Sequence, residues 1–363
     1  MKKEAISQKQ MQLLIFSYPL GSYLLFNIGS EVKQDAWIAS LIGIVVSIPI
    51  LAMYGRLMDL YPGKNLFDIL DITFGKILGK TLQIIFVLHI LFTSSYTLNN
   101  LIDFIKLSAL WNTPKLVPIL SIGILMLWIV NEGIEVIYYY AKLNIRFIII
   151  FLILAWLLLL PQMDISRLQP VLYNNFTKVF KQGIILSIYP FMELFVFLTF
   201  CDTIKYNKNI KNIFIKPMIL LAICITIITT TNIMLLGPEA YSIFYYPGYE
   251  TMKRIYLRGQ YQRLEIIILI VFTIIRFLEL SYCLLGASKG VQKIFNLKDY
   301  KNILTPVAFL LLNLSYIMFG DIINSIYIVK NLWAYYGILI EVILPIIIFI
   351  VAIIKKKSYK ETI

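Results

Sequence analysis

Glu193 follows Pro190 by three residues deep inside an apolar stretch, and the run Tyr189-Pro190-Phe191-Met192-Glu193 sets a carboxylate beside a point where a helix loses an amide. In that setting the carboxylate could bind the ammonium of a ligand, hold a proton, or tie two helices together through hydrogen bonds. A charge near the centre of a bilayer costs roughly 2.5 to 3.5 kcal/mol on insertion scales, so Glu193 is expected to face protein or water and not lipid. A second proline stands at the matching place of the first apolar stretch, in Tyr18-Pro19-Leu20-Gly21-Ser22. Pro19 removes an amide there and Gly21 tolerates unusual dihedrals, so the sequence predicts that this run opens and aims main-chain amides at a carboxylate. A plain proline kink is the other reading.

A polar stripe accompanies the two prolines. His89, Thr93, Tyr96, Thr97 and Asn100 recur at helical spacing and share one face, where they line a cavity or form an interhelical seam. Further on, Arg276 and Glu279 are three apart and can pair along a helix, and Glu341 is a third buried charge that needs a partner. A guanidinium fixed there could replace a coupling cation, and an internal ion pair explains the same residues. His89 is the only histidine, so HExxH zinc chemistry is excluded, and the chain has neither a Walker loop nor GxGxxG. Cys201, Cys224 and Cys283 are scattered without CxxC spacing and read as apolar filler. These absences argue against an enzyme, and no metal or cofactor is expected.

The elements that must position these residues are membrane helices. With 60% hydrophobic and 15% charged residues over 363 positions, the chain has too little polar surface for a soluble globule of its size. A bilayer core takes roughly 20 apolar residues per helix, and ten such segments fall near 11–30, 36–58, 82–107, 116–131, 143–161, 183–203, 214–236, 264–286, 302–320 and 333–354. The expected fold is an all-α polytopic membrane protein: one integral membrane domain over 1–363, with repeat one at about 11–161 and repeat two at about 183–354. Breaks at corresponding places in spans one and six point to a 5+5 inverted repeat with a small-solute site near the membrane midplane.

The net charge of +13 would suggest nucleic acid in a soluble protein, so the placement of the basic residues decides. About two thirds of the 33 Lys and Arg fall on the side that carries both termini, which places the termini in the cytoplasm. No basic stripe with interleaved aromatics survives outside the spans, so nucleic acid is excluded as a partner. Lys355-Lys356-Lys357 would anchor span ten against anionic lipid. The polar decapeptide before span one, with no small-residue cleavage site after it, reads as the lead-in to a retained helix. The connection 237–263, with Gly237-Pro238-Glu239, Phe244-Tyr245-Tyr246-Pro247, Lys253, Arg254 and Arg258, exceeds what a helical hairpin needs and could cap the outer vestibule or meet a partner.

Several short runs together resemble the endospore germination permeases, the B subunits of nutrient germinant receptors, within the amino acid-polyamine-organocation superfamily. They are Leu20-Gly21 with Leu24-Leu25, Asp35-Ala36-Trp37, Tyr61-Pro62-Gly63-Lys64, Gly75-Lys76 and Gly79-Lys80, Leu168-Gln169-Pro170-Val171-Leu172, Met192-Glu193, and Arg263-Leu264-Glu265. The resemblance implies a ten-helix LeuT-like fold in the inner membrane of a spore and assembly with an A-type membrane subunit and a C-type lipoprotein. It also implies sensing of a small nutrient such as an amino acid, with a ligand where Gly21, Ser22, Phe191, Glu193 and Tyr96 converge. The wider set of candidate ligand-binding residues adds Tyr18, Leu20, Thr93 and Tyr189. Two departures stand out: Tyr23 and Ile28 where the family commonly has a small residue and a proline, and the buried Arg276. The rival function is a transporter that moves an amino acid with a proton or cation, using Glu193 or His89 as the titrating group.

Overall fold

The computed structural model of the chain describes residues 4–205, 212–257, 260–261, 265–319 and 334–361. Arg258, Arg263, Leu264 and the expected span ends at 264, 320 and 333 lie outside the described residues. Each expected span has a helical counterpart. Among the described residues, eight helical segments are long and apolar enough to cross a membrane. The other two are α1 (Gln8–Leu25), which opens on the polar run Gln8-Lys9-Gln10-Met11-Gln12, and the 17-residue α4 (Leu116–Glu132).

Ser7 starts α1 with a capping box, its hydroxyl accepting from the Gln10 amide while the Gln10 side chain accepts from the Ser7 amide. From there α1 runs through Pro19, Leu20 and Gly21 to Leu25 with helical backbone throughout, so the opening expected at Tyr18–Ser22 does not form. A proline deletes one intrahelical bond, and the helix continues where tertiary packing holds the flanking residues in the α region. Every residue from Leu14 to Leu25 is buried, and α1 packs against α5 (Ile134–Leu159), α7 (Ile215–Leu236) and α10 (Glu265–Ile294).

Span six is broken as expected. It consists of α6 (Phe176–Leu186), a π-helical turn Ser187–Phe191 and a 3-10 helix Met192–Thr203. The residue before Pro190 carries the break: Tyr189 has φ −105° and ψ 121°, because the proline ring disfavours helical backbone at the preceding residue. Beside the break stands Tyr54 of α2 (Ala36–Leu60), whose hydroxyl donates to the Glu341 carbonyl at 2.5 Å and lies 3.5 Å from that of Met192.

Two further joints came out differently from the expected spans. Span three is the long α3 (Leu66–Ser108), which begins well before residue 82 and is bent at Gly75, whose φ of 77° suits a residue without a side chain. Spans four and five meet at Gly133 (φ 100°), so α5 starts at Ile134 and not near 143. After α7 come two short helices, α8 (Pro238–Ile243) and α9 (Pro247–Met252), each opened by a proline, and a two-stranded ladder of β1 (Tyr256–Leu257) and β2 (Gln260–Tyr261). Then follow α10, α11 (Lys301–Met318), α12 (Ala334–Gly337) with a π-helical turn Ile338–Ile343, and α13 (Leu344–Glu361).

Both termini lie on one face of the bundle. Ile6 pairs in parallel with Ile204 at the end of span six, and Glu4 accepts from the Ile134 amide and from the Tyr300 hydroxyl. On the same face the Lys356 ammonium donates to the Leu60 carbonyl, and Lys293 bridges Asp68 and Asp71. Burial and the neighbouring Glu4 push the Tyr300 hydroxyl up, so it remains a donor. On the opposite face Asp35 accepts from the amides of Leu172 and Asn174, which joins the run Asp35-Ala36-Trp37 to the run ending at Leu172.

Candidate functional site

The centre of the bundle gathers charges from four elements. Arg276 on α10 is 1% exposed, and its Nη1 donates to Glu279 Oε2 at 2.5 Å; Glu279 Oε1 accepts from Thr97 on α3 at 2.9 Å. The expected pairing of residues 276 and 279 is therefore present. Glu341 does not join it. Its Oε1 lies 2.8 Å from His89 Nε2, and His89 Nδ1 lies 2.6 Å from the Tyr336 hydroxyl, which makes a separate linkage between α3 and span ten.

Glu193 sits between the two groups. It is 3% exposed, makes no hydrogen bond among the described residues, and is within electrostatic reach of Glu341, Glu279 and Arg276. The π and 3-10 geometry around Pro190 places it there, since it follows directly on the broken turn. Tyr189, the residue at the break, reaches across to α1: its hydroxyl is 3.2 Å from Ser22 Oγ, and its ring packs in one cluster with Tyr96, Phe92 and Phe319. Gly21 brings α1 close to α10, because a Cβ built there would stand 2.9 Å from Ile275 Cγ2, 3.6 Å from Arg276 Cδ and 3.7 Å from Arg276 Nε.

The structure thus brings Gly21, Ser22, Tyr96, Tyr189, Glu193, Arg276 and Glu279 to one region. It treats the other candidates differently. Because α1 is continuous, the amides near Gly21 are part of a helix and make no cradle for a carboxylate; Phe26 N, for example, donates to Ser22 O. Tyr18 stacks on Tyr282 and sets its hydroxyl 3.7 Å from Cys283 Sγ, although it remains within reach of Glu193 and Glu279. Leu20 is buried in the apolar core, and Thr93 donates to the Ile90 carbonyl of its own helix. Phe191 stacks on Tyr23 at 5.8 Å and 18°, so the departure at Tyr23 fills space beside the break. Tyr54 and Tyr336 were not singled out from sequence. A tyrosine in an apolar helix, whose hydroxyl must find a partner when buried, is the signal that could have found them.

Above this region, on the face opposite the termini, an aromatic plug closes the bundle. Phe26 touches Tyr245, Tyr246 and Phe272 at 5.4, 5.6 and 5.9 Å, and Phe104 meets Tyr246, Tyr249 and Phe272. The connection that supplies these tyrosines forms two short helices, and Gly248 lies so close to the Leu24 carbonyl that a side chain there would collide with it. Burial pushes the Tyr245 and Tyr246 hydroxyls up in pKa, which keeps both neutral. On the face of the termini a cavity of about 670 Å³ opens, lined by charged residues that include Glu4, Glu135, Asp202, Lys289 and Lys301. Lys289 and Asp202 pair across it at 2.8 Å. Among the described residues no group of His, Cys, Asp and Glu is arranged to hold a metal ion.

Comparison with known proteins agrees with this architecture. The chain is similar to spore germination protein KB of Bacillus subtilis (strain 168), 24% identical over 368 residues that cover 100% of this chain and 98% of that one. It is also similar to spore germination protein YndE of the same organism, at 22% identity with 98% of each chain covered. Among solved structures it shares its fold with Mhp1, a nucleobase-cation-symport-1 family transporter in a closed conformation with bromovinylhydantoin bound (TM-score 0.71, 12% identity, 93% of this chain and 76% of that one). MhsT in complex with L-phenylalanine has the same fold at TM-score 0.55 and 12% identity, with 97% and 99% of the two chains covered. The LeuT-like arrangement is therefore the fold of this chain. The profile of the spore germination proteins matches residues 5–322, and the chain belongs to that family of integral membrane proteins.

Proposed function

We propose that the chain is the nutrient-sensing subunit of a spore germination receptor, set in the inner spore membrane with both termini in the cytoplasm. In this reading it binds an amino-acid-like germinant at the centre of the bundle and signals to an A-type membrane subunit and a C-type lipoprotein. The observation that carries the reading is Glu193: a carboxylate with no hydrogen bond among the described residues, 3% exposed, beside the break in span six. A buried charge left unpaired costs more than one with a partner, so the arrangement favours a cationic guest or a proton. The ligand would contact Gly21, Ser22, Tyr96, Tyr189 and Glu193, between two five-helix repeats at about 11–161 and 183–354 that are related by inversion. L-Phenylalanine in MhsT and a hydantoin in Mhp1 are small solutes held by the same fold.

A ligand moves a two-state bundle only by its differential affinity, and a preference of roughly 3 kcal/mol for one state changes the population ratio more than a hundredfold. The aromatic plug and the charged cavity lie at opposite ends of the bundle, where such a change would be transmitted. A second reading, proton-coupled amino acid transport, is favoured by one observation: the fully buried His89 and Glu341 join α3 to span ten through a 2.8 Å imidazole–carboxylate contact in the core. Turnover separates the two. Proteoliposomes holding this chain alone are expected to bind labelled amino acid without accumulating it, and sustained uptake would establish the transporter instead. Spores carrying Glu193→Gln are expected to lose their nutrient response, and an unchanged dose-response would remove Glu193 from the site.

A further inference from the structure

We infer that Arg276 is the carboxylate receptor of the ligand site, which restricts the ligand class to zwitterionic amino acids held between Arg276 and Glu193. The inference rests on the central ligand site proposed above and replaces the main-chain carboxylate cradle expected of span one. That cradle is missing because α1 is continuous and its amides belong to the helix. The positive end of the site must therefore come from a side chain.

Arg276 has the donors to supply it. Nη1 is engaged by Glu279 and the Tyr189 side chain lies within reach of the guanidinium, while Nε and Nη2 are buried and make no hydrogen bond of good geometry among the described residues. These two nitrogens form the side-on edge of the guanidinium, whose parallel N–H bonds fit the two oxygens of one carboxylate. Glu279 and Thr97 fix the far edge of the fork, so its orientation is set before a ligand arrives. Phe26 and Phe272 each lie 5.3 Å from the guanidinium carbon, and aromatic surroundings strengthen a charge-assisted bond. Gly21 lets α1 pack against the Arg276 side chain, its would-be Cβ 3.6 Å from Cδ and 3.7 Å from Nε, which places the main chain of α1 beside the guanidinium.

Charge balance sets the rest of the ligand. Arg276 and Glu279 neutralise each other, so a carboxylate added to Arg276 brings an excess negative charge to a buried site that already contains Glu193. An ammonium on the same molecule answers it, and Glu193 is the acceptor without a partner. Amino acids satisfy both ends; a simple carboxylate, an amine, a nucleoside or a sugar satisfies one or none.

The test uses the full chain in lipid nanodiscs and reads thermal stabilisation and equilibrium binding. The probes are the twenty protein amino acids, with inosine and D-glucose as uncharged nutrients, followed by the carboxamide and the deaminated acid of the amino acid that binds. The expected result is binding of one or more amino acids, with the carboxamide and the deaminated acid each on the order of 100-fold weaker. The paired variant Arg276→Gln with Glu279→Gln, which leaves no stranded charge, is expected to bind acid and carboxamide equally weakly. Equal binding of acid and carboxamide to the unaltered chain, or stronger binding of inosine or glucose, would overturn the assignment of Arg276 and leave the central site standing. If no probe binds, the central-site reading falls and takes this inference with it.

Discussion

Spans one and six carry prolines at matching places and end in different states: α1 is a continuous helix, whereas span six breaks at Tyr189 into π and 3-10 turns. A proline therefore permits a break without dictating one. The difference lies in the neighbours of each proline. Around span six, Tyr54 donates to the Glu341 carbonyl and lies beside that of Met192, and the Tyr189 side chain reaches across to Ser22 on α1. Around α1, tight packing against three helices holds the flanking residues helical, and the polar contact at Ser17 goes to the Leu14 carbonyl and to Tyr282 without disturbing the backbone. The consequence is a division of labour, in which span six supplies polarity from its break and α1 supplies closeness through Gly21.

Substitutions can break or sharpen that contrast. The largest effect is expected at Glu193→Gln, which should weaken ligand affinity on the order of 100-fold while the melting temperature holds or rises, because a buried carboxylate with no hydrogen bond is removed. Binding isotherms and thermal melts on the same preparation check both halves. Next comes Gly21→Ala on the continuous helix. Its methyl would stand 2.9 Å from Ile275 Cγ2, next in sequence to Arg276, and would meet Arg276 itself only in ordinary contact; overpacking of this kind costs about 1 to 3 kcal/mol, and affinity should fall with stability. Tyr54→Phe removes the hydroxyl that serves the broken segment and is expected to cost about 1 to 2 kcal/mol, read as a lower melting temperature. The smallest effect on ligand affinity belongs to Pro19→Ala, which restores an amide to a helix already intact: stability should hold or rise, by up to about 3 kcal/mol, with ligand affinity unchanged. A large loss of affinity there would show that α1 opens in the working protein.

The spans were legible because ten long apolar runs have few alternatives once lipid is the solvent, and the break at Pro190 was legible from the proline and the neighbouring carboxylate. The state of α1 was not, since it depends on neighbours contributed by α5, α7 and α10, far away in sequence. The Arg276–Glu279 pair follows from spacing alone, but the contact of Arg276 with Gly21 joins residues of two distant helices and has no local signal. For the same reason Glu341 could be named as needing a partner without showing that His89 is that partner. The bend at Gly75 and the joint at Gly133 moved the ends of spans three and five, because a glycine at positive φ lets two helices abut where an apolar count sees only a polar gap.

A structure of the full chain solved with the amino acid that binds most tightly tests the central claim most directly. The account predicts the ligand between α1 and the broken segment of span six, its ammonium at Glu193 and its carboxylate on the Nε–Nη2 edge of Arg276. A ligand seated instead in the charged cavity on the face of the termini, with Glu193 untouched, would contradict it.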